Sequence, residues 1–123
     1  MPSTIPLEEA AHERGTYAIT VNFTDETGAS VTPNAGLNWS LVKEDMATIV
    51  NSREEIEITT PSTSEIIVLS GADLALDAGH TMQWRYVVIE GTYNSTLGNN
   101  LPLKDHVKFP IVDIAKVPLV KAV

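Results

Sequence analysis

Short runs of alternating apolar and polar residues recur along this chain, with turn-forming residues between them about every ten positions. The clearest run follows Gly15, and its apolar positions are Tyr17, Ile19, Val21 and Phe23. A period of two is typical of a strand with one buried face, and no segment of useful length has the helical period. The pattern therefore predicts an all-β fold, an antiparallel β-sandwich of about seven strands.

The longest apolar and β-branched run, residues 81–93, predicts the central strand. Alternation separates Trp84 and Val88 from Val87 and Ile89, so either both faces of this strand are covered or a bulge switches its apolar face. We expect Trp84 and Val88 to be part of the core. Residues 94–100 are rich in turn formers and predict the tip of a hairpin. The residues predicted for the core are Tyr17, Ile19, Val21, Phe23, Leu37, Trp39, Leu41, Ile67, Leu69, Trp84 and Val88.

The predicted sandwich occupies residues 15–114, between an N-terminal arm at residues 1–14 and an apolar tail at residues 115–123. Residues 7–14 could form at most two helical turns, so the arm is either a frayed terminus or a segment that pairs with a neighbouring subunit. The tail docks either on its own domain or on a partner. The candidate subunit contacts in these two segments are Ile5, Leu7, Val117, Leu119, Val120 and Val123.

Composition narrows the classes of function. The chain has no cysteine, which excludes a disulfide framework and fits a reducing cytoplasm. Its net charge of −8, with the basic residues scattered singly, disfavours binding to nucleic acid. No apolar run reaches the roughly 20 residues that span a bilayer, and the N-terminus lacks the pattern of a secretory signal. We therefore expect neither nucleic acid nor a membrane as a partner.

The candidates for chemistry are weak. His12, His80 and His106 lack the spacing of metal ligands, and the acidic turns contain no calcium-binding loop. Neither a nucleophile elbow nor a phosphate-binding glycine loop occurs. We therefore expect no enzymatic activity, no metal site and no cofactor. Among the aromatic residues, Tyr93 beside the hairpin tip is the best candidate for a glycan contact.

Residues 15–28, followed by residues 37–41, resemble the opening of bacterial and phage immunoglobulin-like domains. In those domains an alternating strand ends in Asp-x-x-Gly, here Asp25 to Gly28, and a strand with a central tryptophan follows, here Trp39. The resemblance implies an immunoglobulin-like sandwich. A free-standing domain of this kind without cysteine is similar to small virion proteins of tailed bacteriophages.

The resemblance thus implies a non-enzymatic structural protein of a bacteriophage virion, either a capsid decoration protein or a neck or tail accessory protein. Such a protein acts through contacts with capsid, neck or tail proteins, is repeated in a homo-oligomer and is assembled in the host cytoplasm. The alternative is a carbohydrate- or cell-surface-binding immunoglobulin-like module that uses Tyr93.

Overall fold

The computed structural model describes residues 10–113, and this part of the chain is all-β. It contains seven strands and one 3₁₀ turn, Gly71–Leu74, and no α-helix occurs within it. The strands are β1 (Ala11–His12), β2 (Thr16–Asn22), β3 (Asn38–Lys43), β4 (Ile56–Glu57), β5 (Ser64–Ser70), β6 (Met82–Ser95) and β7 (Gly98–Val112).

The strands form two sheets of unequal size. One is a curled sheet of five strands in the order β1-β7-β6-β3-β4, and the other contains only β2 and β5. Neighbouring strands run antiparallel except β1 and β7, which are parallel with Ala11 opposite Ile111. The prediction of a purely antiparallel arrangement is wrong at this pair. Strand β6 lies between β3 and β7, as predicted for the central strand.

The core fills the space between the two sheets. In the small sheet, Ile19 lies opposite Ile67 and Tyr17 lies opposite Leu69. The Tyr17 ring stacks on Phe109 of the large sheet with a centroid distance of 5.1 Å, which joins the two layers. Tyr17 itself packs half-buried against the core. The other predicted core residues that are buried are Ile19, Val21, Phe23, Leu37, Trp39, Leu41, Ile67 and Leu69.

The prediction that Trp84 and Val88 are part of the core is wrong. Val87 and Ile89 are fully buried, whereas Trp84 and Val88 are half-buried on the outer face. The sequence of β6 alone does not decide which of its faces is buried, because each face contains large apolar side chains.

The neighbouring strands decide which face of β6 is inside. Trp39 and Leu41 of β3 lie directly opposite Ile89 and Val87, and residues that are directly opposite share a face of the sheet. Arg85 of β6 also lies on the inner face, opposite the buried Phe109 of β7. On the outer face, the Nζ of Lys108 lies 4.7 Å from the centroid of the Trp84 ring and 5.7 Å from that of Tyr86. The long lysine side chain thus shields part of the aromatic surface.

Shorter segments also differ from expectation. Residues 10–14 form β1 and a turn instead of helical turns, and Arg14 in that turn has a φ of 58°. Strand β1 therefore makes part of the predicted arm an edge strand of the large sheet. At one end of the core, Leu74 is fully buried and the half-buried Leu76 packs against the core.

Replacing Val87 by alanine is expected to lower the free energy of unfolding by about 2 kcal/mol, because the lost methyl groups leave a cavity in a closed core. The control Val88→Ala removes the same atoms from the half-buried outer face and should cost less than about 1 kcal/mol. Urea denaturation measures both variants. A larger cost at Val88 than at Val87 would contradict this facing of β6.

Candidate interaction surface

The outer face of the β2–β5 sheet contains no charged side chain. Ile66 and Val68 of β5 are 63% and 56% exposed, and they lie opposite Thr20 and Ala18 of β2. Charged residues make up 20% of the chain, whereas none of the eight exposed positions on this face is charged. We call it the uncharged face, and its residues are Thr16, Ala18, Thr20, Asn22, Ser64, Ile66, Val68 and Ser70.

The pleat of β5 accounts for the exposure of its two apolar residues. Ile67 and Leu69 are buried in the core, and successive side chains of a strand point to opposite faces. Ile66 and Val68 must therefore lie on the solvent side. The continuous apolar run in β5 is typical of a strand covered on both faces, but the described residues cover only one of them.

Both lateral edges of the β2–β5 sheet are open within residues 10–113. In that range β2 pairs with β5 alone, and β5 pairs with β2 alone. Exposed edges are commonly protected by proline, by charged residues or by short strands. Strand β2 has seven residues, none of which is proline or charged. Its outer edge therefore offers backbone hydrogen-bonding groups beside the uncharged face.

Arg85 is a buried charge at one end of the sandwich, and its side chain is only 2% exposed. Its guanidinium donates to two backbone carbonyls and, over 3.1 Å, to Oε1 of Gln83. The nearest carboxylate oxygen in the described part, on Asp77, is 4.0 Å from Nη2, and that carboxylate bonds Lys43 at 2.9 Å. Desolvation lowers the pKa of Arg85, and the charge of Asp77 opposes this. Gln83 ties the Asp77 turn to β6, because its side-chain amide bonds both the backbone N–H and the carboxylate of Asp77, and Arg85 adds a 3.4 Å hydrogen bond to the carbonyl of Ala75.

Asp73 is a second buried charge, and unlike Arg85 it is in direct contact with an oppositely charged side chain, that of Arg53. Its carboxylate accepts hydrogen bonds from Nε of Arg53 at 2.8 Å, from Nδ2 of Asn51 at 2.8 Å and from the backbone N–H of Ser70 at 3.1 Å. Burial raises the pKa of Asp73, but these hydrogen bonds outweigh it and leave the pKa below its ordinary value. Asp73 therefore holds the 3₁₀ turn Gly71–Leu74 against the connection between β3 and β4.

Tyr93 lies half-buried in a groove near the hairpin end of β6 and β7. Its hydroxyl donates a 2.8 Å hydrogen bond to Oε1 of Glu26, which raises the pKa of Tyr93 and lowers that of Glu26. The groove therefore combines an aromatic ring with several hydrogen-bonding groups. Its other lining residues are Asn22, Phe23, Thr24, Asp25, Pro102, Leu103, Lys104 and Asp105.

The three histidines, His12, His80 and His106, are all exposed. Across residues 10–113, no group of three or more His, Asp or Glu side chains is arranged to hold a metal ion. Within the same residues, no helix is long and apolar enough to cross a membrane.

The predicted subunit contacts Ile5, Leu7, Val117, Leu119, Val120 and Val123 lie outside the described residues. The uncharged face was missed by sequence reasoning, although its signal was present. Every second residue of two predicted strands lacks charge, and β5 has apolar residues on both faces.

Comparisons with protein-family models, with curated proteins and with solved structures found no match to this chain.

Replacing Asp73 by asparagine is expected to lower the free energy of unfolding at neutral pH by about 1–3 kcal/mol, because the bonds to Arg53 lose their ionic character in a buried site. The pKa of Asp73 is lower in the folded chain than its ordinary value of 3.8. Its stabilising contribution is therefore complete above that value and is lost as pH falls through the folded pKa. The stability difference between wild type and variant should shrink on acidification.

Urea denaturation at neutral and at acidic pH measures this difference. Asp105→Asn, at an exposed position, is the control and should leave a small difference at either pH. A gap between wild type and Asp73→Asn that is the same at both pH values would show that the charge of Asp73 does not stabilise the fold.

Proposed function

We propose that this chain is a non-enzymatic structural protein that acts through protein–protein contacts, as a component of a tailed-bacteriophage virion. The observation that carries the proposal is the uncharged face, where Ile66 and Val68 are exposed beside open strand edges. Burying one such side chain contributes roughly 1.5–3 kcal/mol, so a protein partner would gain from covering both. The proposal that the protein belongs to a virion rests on the resemblance of residues 15–28 and 37–41 to phage immunoglobulin-like domains.

We also propose that the sandwich is immunoglobulin-like, and the strand order supports this. If β2, β3, β5, β6 and β7 correspond to strands B, C, E, F and G of that fold, the layers contain G-F-C and B-E as expected. Strand β4 then extends the G-F-C layer, as a further strand does in variable-type domains. The usual places of strands A and D, beside B and E, coincide with the two open edges.

Charge favours association through this face. The chain has a net charge of −8, so most approaches between two copies are repulsive. The uncharged face lets another copy or a virion protein approach without that penalty. Closed symmetry in a homo-oligomer would then bury the same patch in every copy.

The area of the face shows that it needs additional contacts. Two strands of seven residues cover roughly 10 Å by 23 Å, whereas a stable interface buries about 800 Å² on each partner. In this proposal the terminal segments provide the remaining area. Their contact residues are Ile5, Leu7, Val117, Leu119, Val120 and Val123. The partners are copies of the chain and capsid, neck or tail proteins, joined during assembly in the host cytoplasm.

The second candidate function is binding to a carbohydrate or cell surface. It is favoured by the groove at Tyr93, in which an aromatic ring lies beside Asn22, Asp25 and Lys104. Aromatic rings stack on sugars, and polar neighbours bond their hydroxyls.

For the structural role, Val68→Asp is expected to weaken self-association or binding to phage heads or tails by about 10- to 100-fold, since it places a charge in the buried contact. Analytical ultracentrifugation and co-sedimentation with phage particles measure these two properties. Leu97→Asp, which changes a residue that is 71% exposed at the hairpin tip, is the matched control and should have little effect. If Val68→Asp associates as strongly as the wild type, the uncharged face is not part of the interface. A wild-type chain that is monomeric and binds neither heads nor tails would defeat the structural role.

For the carbohydrate role, Tyr93→Ala is expected to abolish binding on a glycan array, while Tyr86→Ala, a half-buried tyrosine outside the groove, should retain it. Tyr93→Phe distinguishes the contribution of the ring to glycan binding from that of the hydroxyl, because it keeps the ring and removes the hydrogen bond to Glu26. An array on which the wild-type chain binds no glycan rejects this second function.

A further inference from the structure

One flank of the outer face of the five-stranded sheet is cationic. Strand β7 has Lys104, His106 and Lys108 at every second position, and all three are exposed. Successive side chains of a strand alternate between faces, so these three form one row. Within residues 10–113, no other strand contains two lysine or arginine residues. This row of cations belongs to a chain whose net charge is −8.

The opposite flank of the same face is acidic. Glu54 and Glu55 precede β4, Glu57 ends it, and all three are exposed. Glu57 lies directly opposite Asn38 of β3, so these two side chains share a face of the sheet. Glu54 and Glu55 line a depression of this face beside Ser40 of β3. The backbone N–H of Glu55 donates a 2.9 Å hydrogen bond to the hydroxyl of Ser40, which fixes this segment to the flank.

The middle of the same face is apolar. Val42 of β3 lies directly opposite Tyr86 of β6, and Val88 of β6 points to the same side as Tyr86. Lys108 lies over the rings of Trp84 and Tyr86 but covers only part of them, because both side chains are half-buried. The outer face of β4, β3, β6 and β7 thus has an acidic flank, an apolar middle and a cationic flank, and we call it the charge-divided face.

This arrangement is complementary to itself under one kind of symmetry. A two-fold axis that is parallel to the strands and lies between β3 and β6 reverses the order β4-β3-β6-β7. It places β7 of one copy over β4 of the other, and β6 over β3, with the strands of the two sheets aligned as in ordinary sheet packing. The cationic flank of each copy therefore meets the acidic flank of the other, and the contact occurs twice.

The register of the strands makes individual charges match. Rotation about such an axis leaves positions along the strands unchanged, so each row of cross-strand neighbours meets its own copy in reverse. One row consists of Glu57, Asn38, Glu90 and Lys104. Reversal brings Lys104 opposite Glu57 of the second copy, and it brings Glu90 opposite the neutral Asn38. No like charges meet in this row.

Other arrangements lose this match. A two-fold axis perpendicular to the strands would place β7 over β7 of the second copy, so Lys104, His106 and Lys108 would meet the same three residues. Like charges that face each other are destabilising. Within one chain, Nζ of Lys104 lies 3.7 Å from Oε2 of Glu90, and both side chains are largely exposed. Such an exposed pair contributes little, so Lys104 is available for a further acidic partner.

The terminal segments fit the charge-divided face less well than a second copy does. Residues 1–9 contain two glutamates but no lysine or arginine, and residues 114–123 contain two lysines but no aspartate or glutamate. Either segment alone therefore has side chains that complement only one flank. A second copy has both kinds of charge at the required spacing, because it presents the same surface.

We propose that two copies of the chain pair through the charge-divided face as a two-fold dimer, in which Lys104 of each copy faces Glu57 of the other. The face covers roughly 19 Å by 30 Å, more than twice the extent of the uncharged face. The inference rests on the proposed function only in that copies of the chain associate. Because it uses the layer opposite the uncharged face, the dimer leaves that face free for a further contact.

Charge reversal tests the pairing. Lys104→Glu and Glu57→Lys each place like charges opposite each other twice in the dimer, so each is expected to weaken self-association by at least about tenfold. Mixing the two variants should restore association as a heterodimer, because both facing pairs then have opposite signs. Arg14→Glu, at an exposed turn away from this face, changes the net charge as Lys104→Glu does and should leave association unchanged. Analytical ultracentrifugation at low salt measures all four samples.

Several results would overturn the dimer. A mixture that associates no better than either variant alone contradicts the two-fold pairing, and equal losses for Lys104→Glu and Arg14→Glu would assign the effect to net charge. A wild-type chain that stays monomeric at about 1 mM also rejects it. An oligomer that is lost in Val68→Asp but unchanged in Lys104→Glu defeats this dimer alone. A chain that neither self-associates nor binds phage particles defeats the structural role as well.

Discussion

The register of β6 between β3 and β7 is the constraint on which the rest of this fold depends. Its backbone bonds both neighbours, so no residue of β6 can change face without moving the whole strand by one position. That register brings Val87 and Ile89 into the core and leaves Trp84 outside. It also brings Gly91 against Leu37, where a Cβ at residue 91 would lie 2.9 Å from Cδ1 of Leu37. The glycine thus gives Leu37 the room to be fully buried.

The same register forces a charge inside, and the fold treats its two buried charges differently. Asp73 has Arg53 in direct contact, so the cost of removing the carboxylate from water is offset by a charged partner. Arg85 bonds only neutral acceptors in the described part, and its nearest carboxylate there is shared with Lys43. Both groups lie where connections meet the strands, so they hold the loops to the sandwich.

The unequal size of the layers links this packing to assembly. A two-stranded sheet supplies enough inward side chains to close the core, but it leaves both of its edges and its outer face uncovered by residues 10–113. A sheet of two strands is marginal alone, and packing on the large sheet stabilises this one. The contacts that build the fold are therefore the ones that leave Ile66 and Val68 in solvent. In the proposed role, neighbouring molecules complete the smaller layer.

The sequence by itself determined the longer strands and most of the core, because the period of two and the turn residues are local properties. It predicted the buried faces of β2, β3 and β5, and it placed Tyr93 beside the hairpin end. Only the tertiary structure decided the inner face of β6, the parallel pairing of β1 and the partners of Asp73, Arg85 and Tyr93. The hydroxyl of Tyr93 bonds Glu26, 67 residues away, and no local pattern encodes such a contact. Where a strand is apolar on both sides, as β6 is, its neighbours choose the buried face, and that choice exists only once the sheet has formed.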